Sequence, residues 1–182
     1  MDKEIRSGKF EIRAEEDDKI KVTGYAAVFD QQTDIGGQFN EMIERGAFKD
    51  AIGRDDVVFL INHVGLPLAR TRSGTLNLRE DEYGLLIETE LDATDPDVRA
   101  IVPKMKRGDL DKMSFAFRPT RQEWDDSDET PLRKIQEAEL YDVSIVTTPA
   151  YEGTEIGLRS LEAHRESASQ ATRRLRMKAK LI

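Results

Sequence analysis

One serine, one histidine and two acidic residues of this sequence occupy positions that suit nucleophilic hydrolysis. Ser114 lies in the apolar, aromatic-rich run LDKMSFAFR, which is typical of a buried strand, and His63 follows the apolar run VVFLIN and enters a loop that contains Gly and Pro. A serine hydroxyl becomes a good nucleophile when a neutral imidazole accepts its proton, and the imidazolium then needs an orienting carboxylate. Each residue also has an ordinary interpretation, as a strand serine or a loop histidine that is simply hydrogen-bonded.

The segment EAELYDVSIV supplies two candidate carboxylates, Asp142 and Glu139. Alternation along a strand predicts that Asp142 shares one face with Leu140 and Ser144, whereas Glu139 lies on the other face, near the polar start of the strand. A carboxylate on an apolar face is costly unless it has a partner such as a histidine. Asp142 is therefore the first candidate for the third member and Glu139 the alternative. A strand carboxylate bonded to backbone is the ordinary interpretation of Asp142.

Other chemistries have little support in this sequence. The chain has no cysteine, which excludes disulfides, thiolate catalysis and thiolate metal sites, and fits a cytosolic setting. Its two histidines, His63 and His164, lie far apart in the sequence, so we expect neither a metal site nor a cofactor. The sequence has no GxSxG, HExxH or P-loop motif, no apolar run long enough to span a membrane, and no signal-peptide core at its start.

Most elements that would position these residues are strands. Alternating patterns predict two strands around a charged turn in KFEIRAEEDDKIKVTGYAAVFD and a hairpin around EDEYG. Helical spacing predicts one helix in NEMIERGAFKDAIG, ended by Gly53, and another in TDPDVRAIVPKMKRGDL, capped by Thr94 or Asp95 and ended by Gly108. This order favours a β-rich α+β fold, a barrel or sandwich with attached helices.

The charge distribution divides the chain into a body and a tail. Residues 164–182 hold six Lys or Arg and one Glu, whereas the whole chain has a net charge of −8, so the body is strongly acidic. We therefore predict one domain over residues 1–163 and a basic, mobile tail over 164–182, in which His164 is solvated. An acidic body points away from nucleic-acid binding, although the tail alone is able to touch an acidic partner.

Six short motifs occur in order along the chain: GYAAVFD, IERGAF, NHVGLPLARTRSGTL, GLLIETELD, MSFAF and ELYDVSIVTTPAY. Together they resemble the prohead protease family of tailed bacteriophages, of the HK97-like type, from about Gly24 to about Tyr151. The resemblance implies a serine endopeptidase with a fold similar to that of herpesvirus assemblins. The fold expectation thus becomes a herpesvirus-protease-like β-barrel with surrounding helices.

The resemblance also implies roles for individual residues. The family's histidine falls on His63 in NHVG, and its nucleophile falls on Ser114 in MSFAF. The third member falls in ELYDVS, where the family commonly has Glu before VS and this chain has Asp142, so Glu139 stays as the alternative.

The implied function is cleavage of scaffold segments of the major capsid protein, and of the protease itself, inside the procapsid in the host bacterial cytoplasm. Self-cleavage is expected within residues 160–182. The expected partners are the capsid-protein scaffold segment and, through self-association, further copies of the chain, with neither a membrane nor a specific nucleic acid. Two other functions stay open: a catalytically inactive structural scaffold for capsid assembly and, with the least support, a nucleic-acid-binding module that uses the tail.

Overall fold

The computed structural model describes residues 4–14, 19–147 and 155–179 of the chain. Ten strands and three helices are described in these ranges. The strands are β1 (Glu4–Ala14), β2 (Lys19–Val28), β3 (Thr33–Ile35), β4 (Phe39–Ile43), β5 (Val58–Ile61), β6 (Val64–Arg70), β7 (Leu76–Glu80), β8 (Gly84–Asp92), β9 (Lys112–Asp125) and β10 (Leu132–Val146). The helices are α1 (Lys49–Arg54), α2 (Pro96–Arg107) and α3 (Glu155–Ala179).

All ten strands belong to one mixed sheet. Along its main path the order is β3-β4-β10-β9-β1-β2-β8-β7, and β5 pairs with both β10 and β6. Neighbouring strands are antiparallel except that β10 runs parallel to β4 and to β5. The β-rich α+β class is therefore confirmed. No pairing among the described strands joins β3 to β7, so the described sheet is open and the expected closed barrel is not observed.

The two longest strands, β9 and β10, lie side by side in this sheet and present alternating apolar side chains to the core. Phe115 and Phe117 on β9, and Val143 and Ile145 on β10, belong to the main hydrophobic cluster. Burying a side chain of this size contributes about 1.5–3 kcal/mol, so the alternation determines which face of each strand turns inward. Ser114, between Met113 and Phe115, consequently lies on the other face.

Helix α2 has the boundaries that the sequence predicts. Asp95 is the N-cap, since its carboxylate accepts a hydrogen bond of 2.8 Å from the backbone N–H of Asp97. Gly108, with φ of 82°, ends the helix in the left-handed conformation. Glycine adopts this conformation without strain because it has no Cβ. Pro103 lies inside the helix and does not end it.

The prediction of a helix in NEMIERGAFKDAIG is wrong for the first half of that segment. Residues 39–43 form strand β4, in which Phe39, Glu41 and Ile43 are buried in alternation, and β4 pairs in parallel with β10. Only Lys49–Arg54 is helical, and Gly53 lies within that helix. A short apolar segment fits the helical and the strand period about equally well, and the pairing with β10 decided between them.

Two pairs of neighbouring strands predicted from the sequence are confirmed. β1 and β2 pair in antiparallel fashion, and β7 and β8 form the hairpin around EDEYG. The turn that links β1 to β2 lies outside the described residues.

Helix α3 is continuous across the domain boundary predicted after residue 163. His164 on this helix is half-buried rather than solvated: its ring stacks on Trp124 with 5.1 Å between centroids, and its Nε2 lies 2.6 Å from Asp126 Oδ2. The first part of the predicted tail is therefore attached to the sheet, and the mobility of the remainder stays a prediction. Of the helices in the described ranges, none combines the length and the apolar character that crossing a bilayer requires.

Candidate active site

His63 occupies the second position of a two-residue turn between β5 and β6. Ile61 and Val64 pair across this turn, and Asn62 and His63 both have positive φ, 49° and 61°. This is the backbone pattern of a type I′ hairpin turn, whose preferred sequence is Asn-Gly because a side chain at positive φ is strained. A histidine in the glycine position costs on the order of 1–3 kcal/mol, and such strain is concentrated at functional sites.

Three hydrogen bonds attach this turn to the end of β10. The backbone N–H of Asn62 donates to the carbonyl of Ile145 at 2.9 Å, and the N–H of Thr147 donates to Asn62 Oδ1 at 3.2 Å. The N–H of His63 donates to Ser144 Oγ, also at 3.2 Å. Because β5 itself pairs with β10, the histidine is held against that strand by both backbone and side-chain contacts.

The imidazole of His63 contacts the carboxylate of Asp142. Nδ1 lies 2.5 Å from Oδ1, and the Asp142 side chain is 1% exposed against 13% for His63. A buried carboxylate needs hydrogen-bond donors, and a protonated Nδ1 supplies one. That tautomer leaves Nε2 without a proton and able to accept one.

The face of β10 that carries Asp142 differs from the predicted one. A β-bulge interrupts the pairing with β9 between Leu140 and Asp142. Leu140 consequently shares the core face with Val143 and Ile145, while Asp142 and Ser144 lie on the opposite face. The predicted common face of Leu140 and Asp142 is wrong, because one extra residue in a strand reverses the alternation.

Glu139 has partners of its own, away from the imidazole. Its carboxylate lies 2.7 Å from a guanidinium nitrogen of Arg118 and accepts a hydrogen bond of 3.1 Å from the Tyr141 hydroxyl. The hydrogen bond from Arg118 holds the pKa of Glu139 below its usual value. The side chain is a quarter exposed, as expected of a surface ion pair.

Ser114 on β9 lies directly opposite Ser144 on β10. Side chains of directly opposed residues in an antiparallel pair share a face, with Cβ atoms about 4.5–5.5 Å apart. Ser114 is fully buried, and its hydroxyl donates a hydrogen bond to the backbone carbonyl of Arg6 on β1 rather than to His63. His63 Nε2 is buried and has no hydrogen-bond partner among the described residues. The structure thus brings His63 and Asp142 together and positions Ser114 on the neighbouring strand, without a serine–histidine hydrogen bond.

Ser144 is the residue of this site that the sequence analysis did not select. Its hydroxyl donates to Asp142 Oδ1 at 2.9 Å, lies 3.2 Å from His63 Nδ1, and is fully buried. The available signal was its position two residues after Asp142, which puts both side chains on one face of a strand.

A buried ionic cluster of Glu4, Arg6, Glu41 and Arg133 attaches the start of β1 beside Ser114. Arg6 lies 2.5 Å from Glu41 and 2.9 Å from Glu4, and Arg133 lies 2.7 Å from Glu4 and 3.0 Å from Glu41. Burial lowers the pKa of Arg6, but the Glu41 and Glu4 carboxylates outweigh it and raise that pKa overall. The backbone carbonyl that accepts the hydrogen bond from the Ser114 hydroxyl therefore belongs to Arg6, whose side chain is held by ion pairs to both glutamates.

No group of three or more acidic or histidine side chains in the described ranges is arranged to hold a metal ion.

Comparisons of the sequence with known proteins found a matching family model and a curated relative. A family model described as caudovirus prohead serine protease matches residues 8–167 of the chain. A prohead protease of Escherichia phage T5 is 35% identical over 91 residues, which cover 49% of this chain and 41% of that protein. The chain thus aligns with less than half of the length of this curated relative. No solved structure matches the chain.

Proposed function

Since the chain belongs to the caudovirus prohead serine protease family, we propose that it is a serine endopeptidase in which Ser114 is the nucleophile, His63 the general base and Asp142 the residue that orients His63. The observation that carries this proposal is the buried contact of 2.5 Å between His63 Nδ1 and Asp142 Oδ1, which leaves Nε2 as the acceptor nitrogen. Ser114 on the adjacent strand, on the same face as Asp142 and Ser144, supports the assignment.

The reaction begins when the Ser114 hydroxyl leaves the Arg6 carbonyl and transfers its proton to His63 Nε2. Ser114 Oγ adds to the carbonyl carbon of the scissile peptide, and the electron pair of the C=O bond moves to the oxygen, which backbone N–H groups stabilise. The C–N bond then breaks, Nε2 gives its proton to the departing amine, and Ser114 is left acylated. Nε2 then takes a proton from water as the water oxygen adds to the ester carbonyl carbon. The bond between that carbon and Ser114 Oγ breaks, and Nε2 returns the proton to Oγ, which releases the acid and restores the free serine. Throughout, Asp142 keeps the other proton on Nδ1 and stabilises the imidazolium.

The proposed substrates are scaffold segments of the major capsid protein and the chain itself, within the prohead in the host cytoplasm. The family description and the name of the phage T5 relative support a role at this stage of assembly. For self-cleavage we propose a site within residues 160–182, because this basic segment has few large apolar residues and proteases need an accessible chain. Self-association and the absence of membrane and specific nucleic-acid partners remain part of the proposal.

A herpesvirus-protease-like barrel is the finer proposal for the fold. Its support is that β9 and β10 are 14 and 15 residues long and that β10 carries several register shifts, which are features that let a sheet curl. An experimental structure in which β3 and β7 stay far apart would contradict it.

The second candidate function, a catalytically inactive scaffold for capsid assembly, is favoured by one observation. The Ser114 hydroxyl donates to the Arg6 carbonyl, and His63 Nε2 has no partner in the described part of the chain. A scaffold would keep this arrangement permanently, whereas a protease must exchange it for a Ser114–His63 hydrogen bond during turnover.

Self-processing of the purified chain distinguishes the two functions. Wild-type protein, incubated and followed by intact-mass measurement, should shorten to a new C-terminus within residues 160–182. Ser114→Ala should stay at full length, since loss of a nucleophile typically costs on the order of 10⁴-fold or more in rate. Ser73→Ala is the matched control, because Ser73 is an exposed serine whose hydroxyl also donates to a backbone carbonyl, that of Arg70. A wild-type chain that stays at full length, or processing of Ser114→Ala at the rate of the control, would reject the protease assignment. First cuts inside the strands would instead contradict the self-cleavage site proposed within residues 160–182.

A further inference from the structure

We infer that Ser144 is a positioning residue of the active site, which holds the carboxylate of Asp142 and the turn of His63 in the geometry that catalysis needs. The inference rests on the proposed function for its catalytic consequence. The contacts of Ser144 are independent of that function, and one of the measurements below uses them alone.

A single hydroxyl makes contact with three groups of the site. Ser144 Oγ donates to Asp142 Oδ1 at 2.9 Å, accepts from the His63 backbone N–H at 3.2 Å, and lies 3.2 Å from His63 Nδ1. Asp142 Oδ1 is the same oxygen that contacts His63 Nδ1. Oδ1 therefore has a donor on β10 as well as the imidazole, which restricts rotation of the carboxylate about its Cβ–Cγ bond.

The proton positions explain why Ser144 orients the pair and does not compete with Ser114 as nucleophile. An ionised carboxylate is acceptor-only, so the hydroxyl proton of Ser144 is the donor in its contact with Asp142. Nδ1 must carry a proton to donate to the same carboxylate, and it then has no lone pair with which to accept a proton from Ser144. Ser144 thus favours the tautomer in which Nε2 is the basic nitrogen.

The backbone contact adds a second effect. His63 has φ of 61°, an unfavourable conformation for a residue with a side chain, so the turn needs bonds outside itself to keep it. The bond from the His63 N–H to Ser144 Oγ is one of these, and it connects the strained residue directly to the strand that carries Asp142. Loss of the hydroxyl should loosen the carboxylate and the imidazole together.

The kinetic test uses diisopropyl fluorophosphate, which requires no knowledge of the peptide substrate. The nucleophilic oxygen attacks phosphorus, fluoride leaves, and the hydroxyl proton passes to the imidazole. Ser144→Ala should lower the maximal labelling rate constant on the order of 10–100-fold, by analogy with the loss of residues that orient histidines bound to a metal. The half-saturating reagent concentration should stay unchanged, because the Ser144 hydroxyl contacts Nδ1 of the imidazole and not Nε2, the nitrogen proposed to accept the Ser114 proton. Ser144→Thr, which keeps a hydroxyl, should recover most of the rate.

The matched control is Thr89→Val. Thr89 is also buried, and its hydroxyl donates to the Thr75 carbonyl at 2.7 Å, in the β7–β8 region. This variant also loses a buried hydroxyl, but one that bonds to the Thr75 carbonyl and not to His63 or Asp142, so it should label at the wild-type rate. If Ser144→Ala does not fold, Ser144→Cys replaces it in the test. Cysteine fills nearly the same volume as serine but is a much poorer hydrogen-bonding group, so the same loss of labelling rate constant is expected.

A proton NMR measurement separates this inference from the proposed function. The Nδ1 proton between His63 and Asp142 should give a far-downfield resonance that disappears in Asp142→Asn. That resonance should broaden or be lost in Ser144→Ala and persist in Ser114→Ala and Thr89→Val. If diisopropyl fluorophosphate does not label the wild-type protein but this NMR pattern is seen, the result contradicts the protease assignment. It still supports the positioning role of Ser144. A resonance unchanged in Ser144→Ala, or a labelling rate equal to that of Thr89→Val, overturns the role of Ser144.

Discussion

Asp142 and Glu139 carry the same functional group but lie in different surroundings. Both are carboxylates on β10, but Asp142 is buried against an imidazole, whereas Glu139 is a quarter exposed and bonded to Arg118. A carboxylate orients a histidine only where water does not compete for its hydrogen bonds, which favours the buried residue.

Replacing each acid by its amide tests this difference. Asp142→Asn should lower the rate of self-processing by about 10⁴-fold, because an amide no longer fixes the tautomer in which Nε2 is basic. Glu139→Gln should process at close to the wild-type rate, with only the small change in stability that losing a surface ion pair brings. The opposite ranking of the two variants would transfer the orienting role to Glu139.

Among the single elements, the β5–β6 turn combines the proposed general base, His63, with an unfavourable backbone conformation. His63 stands where a type I′ turn prefers glycine. Its replacement should therefore separate the contribution of the ring from that of the backbone.

His63→Gly and His63→Ala both remove the imidazole and should both be inactive. The glycine variant should nevertheless have the larger free energy of unfolding, by about 1–2 kcal/mol, since a left-handed conformation is unfavourable for alanine by that amount. Urea unfolding of the two proteins gives the comparison. An alanine variant at least as stable as the glycine variant would mean that residue 63 is not left-handed.

The buried cluster of two arginines and two glutamates joins strand β1 to β4 and β10. Glu41→Ala should lower the free energy of unfolding by about 3–5 kcal/mol, because the buried guanidinium groups of Arg6 and Arg133 lose one of two shared carboxylates. Glu90→Ala, which removes the half-exposed partner of Lys19, should cost about 1 kcal/mol or less. Equal costs in denaturant unfolding would show that the cluster is not buried as described.

Across the whole molecule, features with local causes could be predicted from the sequence, and features that depend on pairing could not. Helix α2 was predictable because Asp95, Pro96 and Gly108 are all signals within the segment. Strand β4 was not, since its state depends on β10, which is about 90 residues further along the chain.

The same distinction applies to the site. The residue types at positions 63, 114 and 142 indicated serine hydrolysis, and the His63–Asp142 contact agrees with that hypothesis. The bulge at Tyr141, the contacts of Ser144 and the bond from Ser114 to Arg6 arise from the register of three strands. No pattern along a single strand specifies such a register.

In the proposed active site, one sheet brings together a nucleophilic serine on β9, a histidine from the β5–β6 turn and an aspartate on β10. Locating the covalent adduct of diisopropyl fluorophosphate by peptide mass spectrometry tests it most directly, with Ser114→Ala and Ser144→Ala measured in parallel. We predict an adduct on Ser114 in the wild-type protein, the same adduct formed more slowly in Ser144→Ala, and none in Ser114→Ala. An adduct on Ser144, or labelling of Ser114→Ala at the wild-type rate, would show that Ser114 is not the nucleophile.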